Sequence, residues 1–482
     1  MLWLALYLPQ LPLESATDGM DDSVPRLLYL NQAGKQLVCQ VNAVATRAGI
    51  EPGMPLPAAR ALCQQVSAAE RDPRRERKAL HGLALWALQF TSKISLQPPH
   101  GLILEIGASL QLFGGIEKIR RQVLSGLRRQ GYSVTSGIAP VASAAWLLAG
   151  VGKEQTVTDS ADLESALRPL SLTLLPLDPA AANALQRVGL RSIGDCLRLP
   201  RAGLSQRLGP PVVASLVCAL GRIPEPRQYL ETPDHFEVQM LLPEPVSQVQ
   251  PLLFILQRLL RQLEGFLRAR DAGVQRMRLG LIAPFAPIEW LPLTLLAPAR
   301  DPRHLLQLWQ EKLERAPLSQ PVEGLELQVH QLLPLQPVVD DIFGLRQKVS
   351  GAFVQTLERL KNRLGEQAVR QPLCNADHRP ELATRLAPFP APALQTTAPH
   401  TAERPLWLLP RPRPLTQADD GAPCLHGRLT LVTGPERIES GWWDQRDRRR
   451  DYYVARNQRQ QQLWVYRDSG KPARWFLHGF FS

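Results

Sequence analysis

Cysteine is scarce in this chain, and its few cysteines follow no recognisable spacing. The sequence has 6 cysteines in 482 residues, and none belongs to a Cys-x-x-Cys pair. This pattern excludes a disulfide framework and is typical of a protein kept in a reducing cytosol. A zinc site built from Cys374 with His378 and Cys424 with His426 is an alternative, but a proline-rich stretch separates the two pairs. We therefore expect no cofactor and no metal.

The sequence also lacks the signs of a membrane segment. The apolar run Met1–Leu8 (MLWLALYL) ends at Pro9 and is too short to span a bilayer. It has neither the basic flank nor the small-residue cleavage site of a signal peptide. Hydrophobic residues make up 44% of the chain, which fits neither a disordered nor a membrane protein. A short apolar run closed by proline instead predicts a strand buried on both faces of a sheet.

Acidic residues are outnumbered by basic ones. The chain has 44 acidic residues against 56 lysines and arginines, so its formal net charge is +12. Such a balance favours a polyanionic partner, because each neutralised phosphate releases counterions. At 482 residues the chain is long enough for about three or four domains with cores of their own.

Alternating strand and helix patterns over residues 1–165 predict an α/β domain. After the strand at Met1–Leu8, a charge run at Arg71–Lys78 is predicted to cap a helix over Lys78–Phe90. Two further stretches stand out, Gly101–Gly115 (GLILEIGASLQLFGG) and Gly137–Ala149 (GIAPVASAAWLLA). Together with the first strand, they resemble the palm of Y-family translesion DNA polymerases, with a fingers-like insertion after the first strand.

The resemblance implies three metal-binding acids, and this sequence lacks them. The family's first aspartate falls at Tyr7, and its Asp-Glu pair falls at His100 and Gly101. Nucleotidyl transfer needs two divalent cations held by carboxylates, and none of these three residues supplies one. We therefore interpret the domain as a palm without catalytic residues. The alternative is an active polymerase that uses displaced acids, namely Glu14, Asp18 or Glu105.

Residues 166–230 resemble the helical thumb of the same family. Leu190–Leu199 (LRSIGDCLRL) is similar to a helix-hairpin-helix element, in which backbone N–H groups hold a DNA phosphate. Ser192 is predicted to cap a helix that begins near Ile193. The residues expected to contact DNA here are Arg187, Arg191, Ser192, Arg198 and Arg207. Use of the same helices for structure alone is the alternative.

Residues 231–336 predict a β-α-β-β-α-β order, which resembles the little finger of the family. Arg276 and Arg278 alternate along one predicted strand and therefore share a face of the sheet. In the family this sheet lies against duplex DNA, so we expect both arginines to contact DNA.

Residues 337–423 are predicted to hold a clamp-binding segment followed by a proline-rich linker. Val339–Gly344 reads VDDIFG, and its Asp341, Ile342 and Phe343 match the end of the short motif with which bacterial proteins bind the sliding clamp. A helix start is the alternative for this segment. Gln331–Leu335 (QLLPL) is a second candidate, although it is also predicted to end a strand.

Residues 424–482 predict a small β-rich tail in which aromatic residues surround a cluster of arginines. Such a mixture is typical of protein interfaces and of surfaces that stack single-stranded nucleic acid. We favour a protein interface, and the residues expected to form it are Trp442, Trp443, Tyr452, Tyr453, Trp464 and Trp475.

Taken over the whole chain, the pattern is most similar to the non-catalytic, polymerase-like subunit of the bacterial translesion mutasome. The resemblance implies a DNA-binding adaptor in SOS-induced, error-prone synthesis. The implied partners are DNA, the sliding clamp, a RecA-like mutasome protein and an error-prone replicative-type DNA polymerase, with no membrane partner and a cytoplasmic, nucleoid-associated location. An active Y-family polymerase is the first alternative. A helix-hairpin-helix repair protein without a mutasome role is the second, and it leaves the tail unexplained.

Overall fold

The chain forms two compact units, Met1–Arg359 and Leu360–Ser482. Among the residues that the structure describes, no helix combines the length and the apolar character needed to cross a bilayer. The computed structural model describes residues 1–16, 24–32, 34–175, 177, 185, 187, 189–200, 210–316, 318–335, 351–365, 367–389, 404–443, 447–470 and 472–481.

The first unit opens with an α/β module built on two sheets. Its helices are α1 (Leu11–Ala16), α2 (Ala43–Arg47), α3 (Leu56–Leu62), α4 (Pro73–Ala87), α5 (Leu110–Phe113), α6 (Ile116–Arg129) and α7 (Ala142–Gly150). Its strands are β1 (Trp3–Tyr7), β2 (Arg26–Gln32), β3 (Lys35–Val41), β4 (Ser67–Glu70), β5 (Ile94–Gln97), β6 (Gly101–Glu105), β7 (Thr135–Ala139) and β8 (Gln155–Thr156).

The strand β1 is the centre of the main sheet, whose order is β5-β6-β1-β7-β8. It is antiparallel to both neighbours, β6 and β7. Leu4 and Leu6 point to a core covered by α4 and α6, whereas Trp3 and Ala5 point to a core covered by α7. Burial on both faces confirms the prediction made from the apolar run and explains why the run does not alternate with polar residues.

The helix α4 begins earlier than predicted. Asp72 is its N-cap, because the Asp72 carboxylate accepts a hydrogen bond from the Arg74 N–H at 2.8 Å, and Pro73 occupies the first helical position. Both residue types favour a helix start at these positions. Most of the charge run Arg71–Lys78 therefore forms the first turns of the helix instead of preceding it.

A smaller sheet forms the insertion between β1 and α4. Its order is β3-β2-β4, and α2 and α3 pack on it through a core of their own that includes Leu27, Val38 and Leu56. The Asn42 side chain caps α2 by accepting a hydrogen bond from the Ala45 N–H at 2.9 Å.

In the described part of the chain that follows, the structure has the short helices α8 (Leu163–Leu167), α9 (Ile193–Leu197) and α10 (Pro210–Ala219). They share the core on the α7 side of the main sheet. The prediction that Ser192 caps a helix starting at Ile193 is confirmed, because the Ser192 side chain accepts from the Asp195 N–H at 3.2 Å.

The predicted β-α-β-β-α-β order over residues 231–336 is present. It consists of β9 (Phe236–Val246), α11 (Val249–Arg268), β10 (Ala272–Ile282), β11 (Glu289–Ala299), α12 (Pro302–Arg315) and β12 (Val322–Val329), with a short added strand β13 (Leu333–Pro334). The sheet is antiparallel in the order β11-β10-β12-β9, with β13 paired to β10. The apolar residues of α11 and α12 pack on one face.

This βαββαβ module packs directly on the α/β module through α11 and α4, which share one hydrophobic core. Two glycines allow the helices to approach closely. A Cβ at Gly82 would lie 2.4 Å from Gln262 Oε1, and a Cβ at Gly265 would lie 2.5 Å from the Trp86 carbonyl oxygen. The contact at Gly265 is with backbone and requires glycine, whereas a side chain at position 82 would have to displace the amide of Gln262.

The segment 337–423 has more regular structure than the predicted linker. It contains α13 (Gly351–Leu364), the hairpin β14 (Arg370–Cys374) and β15 (Thr384–Pro388), and the strands β16 (Trp407–Pro414) and β17 (Thr416–Gln417). Within the first unit, Glu358 of α13 is buried and accepts a hydrogen bond from the Leu296 N–H at 2.7 Å, and its carboxylate lies 2.6 Å from His304 Nε2. The proline-rich part that the sequence predicts to be extended begins at residue 384, after α13 and β14, and its described residues include the strands β15, β16 and β17.

The second unit is mainly β-structure. After the short β18 (Pro423–Cys424), its strands are β19 (Thr430–Ser440), β20 (Arg448–Arg456), β21 (Gln462–Asp468) and β22 (Trp475–Phe480). The main sheet has the order β16-β22-β21-β20-β19, so the proline-rich β16 forms an edge. An edge strand tolerates proline because one side of it needs no backbone donors.

Candidate functional site

The residues in the positions of the missing acids lie together at one end of β1. Tyr7 is opposite Gly101 of β6 and Thr135 of β7, and His100 directly precedes β6. The rings of Tyr7 and His100 are 5.6 Å apart, and Trp146 of α7 packs edge-on against Tyr7 at 5.4 Å. Three aromatic rings therefore fill this end of the sheet.

The packing around Gly101 leaves no room for a side chain. A Cβ at this position would lie 2.0 Å from the Leu6 carbonyl oxygen and 2.8 Å from the nearest ring carbon of Trp146. Because the first contact is with strand backbone, it cannot be relieved by rotating a side chain. With Trp146 in place, no carboxylate can be carried at position 101.

His100 is neutral near pH 7 in this environment. Burial lowers the pKa of its imidazole, and the positive charge of Arg71 lowers it further. The Nδ1 atom is buried without a hydrogen-bond partner among the described residues. The backbone carbonyl oxygen of His100 accepts from the Leu8 N–H at 2.7 Å, which holds the residue at the end of the sheet.

Glu76 is an acid near this site that the sequence did not single out. It is 3% exposed and contributes to the electrostatic environment of His100. However, both Glu76 carboxylate oxygens accept hydrogen bonds from Arg71, at 2.6 and 3.0 Å. Arginine thus neutralises this carboxylate through a strong two-point pair. The sequence did not single out Glu76 because it lies in a charge run, and charge runs are normally exposed.

Two of the three acids proposed as displaced ligands, Glu105 and Glu14, accept hydrogen bonds elsewhere. Glu105 lies opposite Trp3, four residues along β6 from Gly101, or roughly 13 Å away at about 3.3 Å per residue. Its Oε1 accepts from the N–H groups of Leu2 and Gly107, at 3.4 and 3.0 Å. Glu14 accepts from the Ser133 N–H at 2.9 Å. Asp18 lies outside the described residues.

In the described part of the chain, no group of three or more His, Cys, Asp or Glu side chains is arranged to hold a metal ion. The pairs Cys374 with His378 and Cys424 with His426 are thus not assembled into a zinc site there. Two-metal chemistry would need several carboxylates around ions about 3.5–4 Å apart. The side chains at the end of β1 do not fit that requirement.

The start of α9 is saturated with internal hydrogen bonds. The Asp195 carboxylate accepts from the N–H groups of Arg191 and Ser192, at 3.1 and 3.0 Å. The next two N–H groups donate to backbone carbonyls of Leu170 and Arg168. These backbone N–H groups are therefore not free to hold a phosphate, and the described role of Ser192 is to cap α9, so its contact with DNA stays a prediction.

The structure describes three of the four arginines that were predicted to contact DNA near α9. Arg187, Arg191 and Arg198 are exposed, so their side chains are accessible to a phosphate. Arg198 lies 3.7 Å from the Asp195 carboxylate, an exposed and weak ion pair. Arg207 lies outside the described residues.

Arg276 and Arg278 share the outer face of the βαββαβ sheet, as predicted from their spacing. Both are exposed on β10, while Met277 between them points into the core. Arg276 donates to Gln331 Oε1 at 2.6 Å, and Arg278 donates to Gln328 Oε1 at 2.6 Å. The guanidinium of Arg278 also lies 4.4 Å from the centroid of the Trp290 ring. The two cations are therefore held in place on an accessible surface.

The predicted clamp-binding residues Asp341, Ile342 and Phe343 lie outside the described residues. The second candidate, Gln331–Leu335, is tied to the sheet: β13 pairs with Ala272 and Gly273, and the Leu335 N–H donates to the Asp271 carbonyl oxygen at 3.2 Å. This segment would have to detach from β10 before it could bind a clamp as an extended peptide.

The six aromatic residues predicted to form a partner surface divide into three groups by exposure. Trp442 and Trp443 are 77% and 57% exposed, and their rings lie 5.5 Å apart. Tyr453 is half-buried. The remaining three form part of the cores of the second unit and are 1–5% exposed: Tyr452, Trp464 and Trp475. For those three, the prediction of a contact surface is corrected, because each side chain is buried in one of the two cores of this unit.

A buried polar network lies within the second unit. The Tyr452 hydroxyl bonds to His478 Nδ1 at 2.8 Å and accepts from Arg450 at 3.0 Å, and Arg450 also pairs with Glu381 at 3.0 Å. Burial lowers the pKa of His478 to about 4, so its imidazole is neutral at physiological pH. These contacts join the segment containing Glu381 to the main sheet of this unit.

Comparisons with known proteins agree with the predicted resemblance. The model of the impB/mucB/samB family matches residues 23–150. Over 461 residues the chain is 27% identical to Protein ImuB of Caulobacter vibrioides in two strains, an alignment that covers 90% of this chain and 100% of each relative. The resemblance predicted from the sequence is confirmed to this extent: the chain is similar to proteins named ImuB over most of its length and carries a match to the impB/mucB/samB family.

Among solved structures, the chain is similar to the crystal structure of DinB from Sulfolobus solfataricus, with 15% identity, a TM-score of 0.40, and coverage of 70% of this chain and 100% of that chain. It is also similar to an insertion ternary complex of Dbh DNA polymerase, with 16% identity, a TM-score of 0.40 and the same coverage.

Proposed function

We propose that this protein is a non-catalytic DNA-binding adaptor in error-prone translesion synthesis. The observation that carries the proposal is the end of β1, where Tyr7, His100 and Trp146 fill the place of a metal site and Gly101 has no space for a carboxylate. The similarity to Protein ImuB over 90% of the chain supports the same conclusion.

A primer-extension assay tests the absence of catalysis. The purified chain, supplied with a primed template, all four deoxynucleotides and magnesium or manganese, should give no extension above a heat-treated control. Robust extension that Glu105→Gln abolishes would establish the active-polymerase alternative and overturn the proposal.

DNA binding is proposed for the outer face of the βαββαβ sheet. The association constant for DNA falls with salt, and each neutralised phosphate adds about 0.9 to the steepness of log K against log salt. If Arg276 and Arg278 each neutralise one phosphate, this steepness should decrease by roughly 2 in the double glutamine variant. Arg121→Gln, an exposed arginine of α6, is the matched control and should leave the slope unchanged. If the double glutamine variant binds a primer-template with the wild-type salt slope, this face is excluded as the DNA-binding surface.

Partner binding is proposed for two further segments. Ile342 and Phe343 would anchor the chain to the sliding clamp, since apolar anchors in pockets dominate small interfaces. In the second unit, Trp442 and Trp443 are large, exposed and adjacent, which suits contact with the RecA-like protein or the error-prone replicative-type polymerase. In this arrangement the adaptor would hold DNA and the clamp while another polymerase carries out synthesis in the SOS response.

A further inference from the structure

A small cavity of about 20 Å³ lies where the α/β module meets the βαββαβ module. Three basic side chains line it, Arg75 and Lys78 from α4 and Arg258 from α11. Gln262 of α11 and the ring of Tyr132 form further parts of its wall. No carboxylate is among the residues that line this cavity, so its walls carry only positive charge.

Arg258 is the most deeply buried of these cations. It is 4% exposed, and its guanidinium lies 4.6 Å from the centroid of the Tyr132 ring. Its Nε and one terminal nitrogen are buried without a hydrogen-bond partner among the described residues. A buried cation is normally paired, because removing an unpaired charge from water is very unfavourable.

Two neighbours present further unsatisfied groups. One terminal nitrogen of Arg75 donates a hydrogen bond to the Leu242 carbonyl oxygen at 3.2 Å, but the Arg75 Nε is buried and has no hydrogen-bond partner in the described structure. Gln262 is fully buried, and neither atom of its amide has a described partner. Glu14 acts electrostatically on Tyr132, but it does not line the cavity and its Oε1 accepts from the Ser133 N–H.

The size of the cavity limits its occupant. A cavity needs a volume of at least about 10–15 Å³ to hold one water molecule. A volume of about 20 Å³ therefore admits one water or one monatomic ion, and it excludes phosphate, sulfate and nucleotides. Water would satisfy hydrogen bonds but leave the charge uncompensated, whereas a small anion does both.

We propose that this cavity binds a single halide ion, chloride under physiological conditions. Arg258, Arg75 and the amide nitrogen of Gln262 donate to the ion. Because Arg75 belongs to α4 and Arg258 to α11, the ion joins the two modules and neutralises the arginine buried between them. Chloride thus contributes to holding the DNA-facing sheet in position on the α/β module.

Bromide diffraction tests the site in the unmodified full-length chain. Crystals soaked in sodium bromide and measured at the bromine absorption edge should show an anomalous peak inside the cavity, within contact distance of Arg258 and Gln262. Density at that position without an anomalous signal would identify the occupant as water and overturn the proposal.

Thermal unfolding tests the effect in solution. The midpoint for the first unit should rise and saturate as sodium chloride replaces sodium gluconate at constant ionic strength, because gluconate is too large to enter. Arg258→Met should abolish this chloride response, whereas Arg276→Met, which removes an exposed arginine of the same unit, should retain it. An equal chloride response in wild type and Arg258→Met would refute the site. If Arg258→Met fails to fold, the bromide experiment on the unmodified chain is decisive.

Discussion

Adding a single methyl group at Gly101 should strongly destabilise the first unit. In Gly101→Ala the new Cβ would lie 2.0 Å from the Leu6 carbonyl oxygen and 2.8 Å from Trp146. Overpacking typically costs about 1–3 kcal/mol, and a collision with strand backbone belongs at the upper end. At about 2 °C or more per kcal/mol for large domains, a loss of ~3 kcal/mol lowers the midpoint of thermal unfolding by roughly 6 °C. Calorimetry of the full chain measures this shift directly.

Two further variants separate the causes of that shift. In Gly101→Ala combined with Trp146→Leu, removing the ring should relieve only the contact with Trp146, so the stability should recover in part at most. Gly470→Ala, whose Cβ would meet no atom within 4 Å, is the control and should change the midpoint by less than about 1 °C. A Gly101→Ala midpoint within 1 °C of wild type would refute the argument that this position cannot carry a side chain.

Three other predictions concern the remaining segments. The pKa of His478 in the folded protein is about 4, below the ordinary 6.5, so on acidification the unfolded state takes up the proton first. The stability of the second unit should therefore fall as pH falls from about 6.5 to about 4. His478→Phe should remove this dependence in calorimetric scans. Glu358→Leu leaves the half-buried Leu296 N–H and the buried His304 imidazole without this partner and should cost about 1–3 kcal/mol in urea unfolding. Arg359→Met, which breaks a more exposed pair, should cost under about 1 kcal/mol, and equal losses would contradict the assigned role. Replacing Ile342 and Phe343 together with alanine should weaken clamp binding at least about tenfold in surface plasmon resonance without changing thermal stability, and lost stability with unchanged clamp affinity would place them in a packed helix instead.

Elements that depend on local pattern were predictable from the sequence. The apolar run at Trp3–Tyr7, the cap at Ser192 and the alternation of Arg276 with Arg278 each follow from the chemistry of neighbouring residues. Helical and strand periodicity produced the β-α-β-β-α-β order, with boundaries displaced by a few residues where turns compete. The lack of acids at Tyr7, His100 and Gly101 is likewise a property of the sequence alone.

Which side chains meet across the fold was decided by tertiary structure. Trp146 is distant in sequence from Tyr7 and Gly101, and only the antiparallel pairing of β1 with β7 brings α7 against them. Glu76 lies in a charge run that the sequence predicts only to cap a helix, and its pairing with Arg71 allows this acid to be buried.

The tail shows the same limit most clearly. Leu463 to Tyr466 is a run of four apolar or aromatic residues, so both faces of this strand carry side chains that suit either a core or a partner surface. In the structure both faces of β21 are covered, so all four side chains are buried. Whether an aromatic residue on a strand binds a partner or fills a core depends on what lies over its face, which is set by contacts between distant segments and not by the strand's own residues.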